Sequence, residues 1–170
     1  MGPVSESERS RVIVVGVDFS DASGEALSLA CRIADRAPGR VLIYVVHVLT
    51  PLYLPSPGVE LLPTVRPDTA ERLEASHARM RRLVHGCAAS SAAGLRAAIE
   101  THVCIGDTSV ELETFARRTQ ADLIVLGGRR RSSIWRALHR SASARLARRA
   151  PCPVLIALPK EAADAGDRAS

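Results

Sequence analysis

Four stretches of this chain are apolar almost without a break: RVIVVGVD from Arg11 to Asp18, VLIYVVHV from Val41 to Val48, ADLIVL from Ala121 to Leu126, and PVLIAL from Pro153 to Leu158. A strand that is apolar on both faces has to be covered on both, which points to a parallel sheet between layers of helices. Ile99, Thr101, Val103 and Ile105, alternating with polar or small residues, supply a further strand. Helical stretches separate these runs. Ala26, Ala30, Ile33 and Ala37 recur on one helical face after a turn of Phe19, Ser20 and Asp21, and Pro38 and Gly39 end that helix. Asp68 with Glu71 forms a capping-box pattern for a second helix running to about Ser91, with Gly86 as an early break, and Thr108 with Glu111 reads as another helix start. The expected fold is α/β, an open five-stranded parallel sheet with helices on both faces.

A chain of 170 residues has the size of one domain. Residues 11–158 form that domain, with flexible polar ends at 1–10 and 159–170. Residues 49–67 contain five prolines and read as a loop or lid inserted after the second strand. No run approaches the roughly 20 apolar residues of a membrane span, and the first eleven residues are too polar for a signal peptide, so a cytoplasmic protein without membrane contact is expected. Cys31, Cys87, Cys104 and Cys152 are far apart and form no CxxC pair. Their spacing suggests neither a zinc site nor a disulfide framework, and small buried thiols are expected.

In open sheets of this kind, ligands sit outside the carboxyl ends of the strands, where the strand order reverses. The loops after Asp18, Val48 and Gly127 are therefore the candidate site. The third loop opens a basic segment: eight arginines lie between residues 129 and 149, and no acid stands between Asp122 and Glu161. With a net charge of +5, the rest of the chain carries 5 − 8 = −3, so the basic character is local. Such a segment can attract a polyanion. Aromatics at 3% leave little for base stacking, and no reading motif for nucleic acid is present, so a nucleic-acid partner is not expected. No GxSxG elbow or metal-ligand spacing supports catalysis. Asp18, His47 and Ser141 are the residues from which an acid, base and nucleophile would have to be drawn, and His47, inside an apolar strand, reads as a core residue.

VGVDFSDASGEAL from Val15, VVHV from Val45, ADLIVLGG from Ala121 and APCPVLIAL from Ala150 together resemble the universal stress protein family. The resemblance runs from about Arg11 to Leu158, apart from the proline-rich loop. It implies a five-stranded α/β domain, usually dimeric through the final strand at residues 153–158, that serves as a non-enzymatic stress-response or signalling module and is open to a signalling protein partner. Some members of the family bind ATP, and ATP or another adenine nucleotide is the one cofactor it suggests. The binding members carry Gly, two residues, Gly, nine residues, Gly, then Ser or Thr. Aligned on APCPV, these positions hold Gly127, Arg130, Arg140 and Ser141, so two of the three glycines are replaced.

The resemblance carries Asp18, Val48, Leu126, Gly127, Ser141 and Ser143 into a nucleotide pocket and makes that pocket altered at Arg130 and Arg140, with weak or absent ATP binding. Glycines in a phosphate loop let backbone N–H groups approach the oxygens, often at positive φ, where a Cβ obstructs. Two alternatives stand beside this reading. Arg130 and Arg140 can act as phosphate contacts in an ATP binder with slow hydrolysis, or the 129–149 cluster can hold a polyanion or nucleic acid. Each residue also has a structural role open to it: Asp18 as organiser of its turn, Val48 and Leu126 as core, Ser141 and Ser143 as helix caps, and Gly127 and Gly128 as a tight turn.

Overall fold

The structure, a computed structural model, describes residues 10–50, 69–89, 97–128 and 142–158. They form β1 (Arg11–Val17), α1 (Asp21–Arg36), β2 (Val41–Leu49), α2 (Thr69–Ala89), β3 (Ala98–Ile105), α3 (Thr108–Arg118), β4 (Leu123–Gly127), α4 (Ala142–Arg149) and β5 (Val154–Ala157). The strands make one parallel sheet in the order β3-β2-β1-β4-β5. The order reverses at β1, which pairs with β2 on one side and β4 on the other, so the gap beyond the carboxyl ends of β1 and β4 is the switch point of the sheet.

Burial on both faces explains the apolar runs. Ile13, Val15, Ile43, Val45 and Val125 pack with Ala26, Leu27, Ala30 and Met80 of α1 and α2. The alternate residues Val14, Val46, Ile124 and Leu126 pack with Leu112, Phe115, Ala116 and Leu146 of α3 and α4. Val14, Val15, Ile43, Val45, Ile124 and Val125 are fully buried. At about 25 cal/mol for each Å² of apolar surface withdrawn from water, side chains of this size stabilise by roughly 1.5–3 kcal/mol each. β3 is the softer strand, with only partly buried residues through its centre, because it lies at the edge of the sheet.

Several local expectations are corrected. Asp18 lies just beyond β1, which ends at Val17, and Ala37 is the C-cap of α1 rather than part of its face. Gly86 does not break α2, which runs through it to Ala89. α3 begins at Thr108, as the sequence indicates, but the residue that caps it is Asp107. Asp107 is the N-cap, and its carboxylate accepts the N–H groups of Ser109 and Val110. Its other oxygen takes the Arg145 guanidinium of α4 at 2.9 Å, which fastens the two helices of that layer together. Asp122 performs a similar service at the amino edge: its Oδ2 accepts the N–H of Val12 at 2.8 Å, and its own N–H donates to the Val12 carbonyl.

The expected end segments, apart from residue 10, lie outside the described residues. So do the proline-rich loop from residue 51 onward, the Asp68 cap and the arginine segment from 129 to 141, which holds Arg130, Arg140 and Ser141. Ser143 falls in the first turn of α4.

Candidate functional site at the carboxyl edge of the sheet

Gly16 of β1 pairs with Val46 and with Leu126, and Val17 with His47. Asp18, Val48 and Gly127 therefore follow at one level, side by side across the switch point. Val48 and Leu126 belong to the layer packed on α3 and α4, Leu126 buried and Val48 partly so. Both contribute to the core and also reach the carboxyl edge. All candidates in the described residues lie on this edge of the sheet.

The turn from β1 to α1 is organised around the Asp18 carboxylate. Its Oδ1 accepts the Ser20 N–H at 3.0 Å, the Ser20 hydroxyl and the Ser23 hydroxyl, the last at 2.6 Å. Ser23 Oγ in turn accepts the Asp18 N–H at 2.9 Å. Ser23 is buried, so its hydroxyl is the interior anchor of the turn. Ser20 is the N-cap of α1 and makes no side-chain capping hydrogen bond. The sequence marks Ser20 as a turn residue, but Ser23 as the partner of Asp18 was not foreseen, although its signal, a hydroxyl five residues after the acid, was present.

Between Asp18 and Ser20 the chain passes through Phe19 at φ 62°. A left-handed conformation costs a residue with a Cβ roughly 1–2 kcal/mol, so neighbouring contacts have to hold it. The Phe19 ring lies 4.3 Å from the His47 ring and beneath the Arg79 guanidinium of α2, which is 4.2 Å from its centre. His47 Nδ1 donates to the Val17 carbonyl at 2.8 Å, which fixes the tautomer and ties the end of β2 to the end of β1. His47 is thus hydrogen-bonded as expected, but it is only partly buried at the end of β2 rather than a core residue.

Gly127 closes the site from the side of β4. A Cβ there would stand 2.5 Å from the carbonyl carbon and oxygen of Ala22, so only glycine lets the end of β4 approach the first turn of α1. Gly128 is equally confined, by the Ile156 and Leu158 side chains. Neither has a positive φ, so the requirement for glycine shown here is space rather than conformation. The first turn of α1, the Asp18 carboxylate and the end of β4 thus meet at the switch point. A helix N-terminus there offers N–H groups and the positive end of a helix dipole to an anion. Among the described residues, no group of three or more His, Cys, Asp or Glu is arranged to hold a metal ion. None of the described helices is long and apolar enough to cross a membrane.

The model of the universal stress protein family matches residues 9–157. A universal stress protein of Methanocaldococcus jannaschii is 31% identical over 146 residues, covering 85% of this chain and 79% of the relative. Among solved structures, the universal stress protein UspA from Lactobacillus plantarum superposes with a TM-score of 0.62 at 25% identity, over 88% of this chain and 98% of that one. A universal stress protein in complex with cAMP gives a TM-score of 0.61 at 25% identity, over 86% and 95% of the two chains.

Proposed function

The chain belongs to the universal stress protein family, and from that premise we propose that it is a non-enzymatic stress-response module whose adenine-nucleotide pocket keeps its nucleoside end and is altered at its phosphate end. One observation carries this reading: the elements that would meet a nucleoside, the Asp18 turn, Val48, Leu126 and Gly127, converge at the switch point, whereas the next two glycine positions of the binding pattern hold Arg130 and Arg140. The complex of a similar protein with cAMP supports the nucleoside half of the pocket. Ser141, and Ser143 in the first turn of α4, are the hydroxyls retained for a phosphate.

Glycine at the two arginine positions restores backbone approach to phosphate oxygens. A phosphate loop with positive φ costs a non-glycine residue about 1–2 kcal/mol, so the double substitution Arg130→Gly, Arg140→Gly is expected to tighten ATP binding by up to about 2–4 kcal/mol, less the entropy of a looser loop. Titration calorimetry of both proteins with ATP and cAMP decides the matter. Weaker ATP binding by the glycine variant would make the arginines phosphate ligands, and hydrolysis of bound ATP would make the protein an enzyme.

The same reading includes a homodimer through β5, whose outer edge has no strand partner among the described residues and which carries the exposed Leu155, with Leu158 exposed just beyond it. Sedimentation at micromolar concentration is expected to give a dimer, and Leu155→Arg a monomer.

A further inference from the structure

We propose that Cys31 and Cys87 form a reversible disulfide that clamps α1 to α2. The two residues are 56 apart in sequence, yet their sulfurs lie 2.8 Å apart, inside the separation of non-bonded sulfurs and about 0.8 Å beyond a disulfide bond. Both are free thiols here. Cys31 is buried among Ala26, Leu27, Ala30 and Ala34, and Cys87 is half-buried against the same cluster. An oxidant therefore meets Cys87 first. Burial, the neighbouring Cys87 and the charge of Asp35 all push the Cys31 thiol upward, so Cys31 is the less reactive of the two towards an oxidant, and it is its 2.8 Å approach to the Cys87 sulfur that fits it for the second step, in which it gives up its proton. Oδ1 of Asp35, one turn further along α1, is buried and has no hydrogen-bond partner among the described residues.

With hydrogen peroxide as the oxidant, the Cys87 thiolate attacks one oxygen, the O–O bond breaks, and a sulfenic acid and hydroxide result. The Cys31 sulfur then attacks the Cys87 sulfur, the S–O bond breaks, and the hydroxyl leaves with the Cys31 proton as water. Two thiols and one peroxide become one disulfide and two waters. The bond joins a helix that begins at the Asp18 turn to the helix whose Arg79 covers Phe19. Oxidation at the α1–α2 contact is thereby linked to the carboxyl edge. The proposal stands whether or not a nucleotide binds there.

The full chain, treated with hydrogen peroxide, blocked with N-ethylmaleimide and digested with trypsin, is expected to yield a cross-link between the peptides ending at Arg32 and Arg96. Cys104 and Cys152 fall in other tryptic peptides. The cross-link should disappear on reduction with dithiothreitol, persist in Cys104→Ser, Cys152→Ser, and vanish in Cys87→Ser. Closing a loop of this length should raise Tm by roughly 5–15 °C. Recovery of Cys31 as its maleimide adduct at peroxide levels that oxidise free cysteine overturns the proposal. So does Cys87 ending as a sulfinic acid or joined to a second chain.

Discussion

Two turns at the carboxyl edge of the sheet lead from an aspartate into a helix, and they use it differently. After β3, Asp107 is itself the N-cap: it closes the first N–H groups of α3 and binds Arg145 with its other oxygen. After β1, Asp18 stands two residues before the N-cap. Its Oδ1 is engaged by Ser20 and Ser23, and the cap of α1 makes no side-chain capping bond to a helix N–H, touching within the helix only the Ser23 hydroxyl. The α3 turn is closed by its own acid, as a structural joint would be. The α1 turn holds its acid to one side and presents a helix start at the switch point, with Gly127 drawn against it. The difference gives Asp107 a structural role and supports the site role proposed for Asp18, although both read DxS in the sequence.

The largest test of this contrast is Gly127→Val. Its Cβ meets backbone rather than a movable side chain at Ala22, so the first turn of α1 has to shift. Overpacking of this kind costs about 3 kcal/mol. Urea unfolding is expected to show that loss, together with loss of any nucleotide binding. A variant that binds nucleotide like the wild type would remove the first turn of α1 from the site.

Ser23→Ala comes next. It strips the buried hydroxyl from the Asp18 carboxylate and leaves the Asp18 N–H without that acceptor, at a cost of about 1–3 kcal/mol. If the contrast is right, nucleotide affinity falls as well, because Asp18 is no longer held. Stability lost with affinity unchanged would reduce Asp18 to a turn organiser like Asp107.

The layers and strands were legible because burial on both faces leaves a compositional mark along the chain itself: RVIVVGV and VLIYVVHV read as parallel strands without any knowledge of their neighbours. The candidate site was legible only where its residues end strands. What was missed depends on approach through space. Nothing near Gly127 in sequence announces Ala22, and nothing in two helices 56 residues apart announces that Cys31 meets Cys87. The start of α3 at Thr108 was legible but its cap was not, because Thr108 and Asp107 are both good caps, and only the backbone decides which residue stays outside the helix.

The smallest effect tests the structural half of the contrast. The hydrogen bond from Ser109, then those from the Val110 and Ser109 N–H groups and the Arg145 charge, hold the Asp107 carboxyl below its usual range. A group whose folded pKa is depressed contributes stability above its unfolded value near 4 and loses it as pH falls through the folded value. Asn is also a good N-cap, so Asp107→Asn removes mainly the charge. Because Asp107 and Arg145 are both about half exposed, with 48% of each side chain accessible, solvent screens the pair. A loss of about 0.5–1 kcal/mol is expected at pH 7 from the helix dipole and the ion pair. Urea midpoints of wild type and Asp107→Asn should then converge as pH drops from 5 to 2.5, since the wild-type carboxylate protonates and the variant has no charge there to lose. A gap that stays constant over that range would mean that the charge does not matter and that hydrogen-bond geometry alone caps α3. Nucleotide binding should be the same in both proteins at every pH, and a difference there would bring the β3–α3 turn into the site alongside the turn of Asp18.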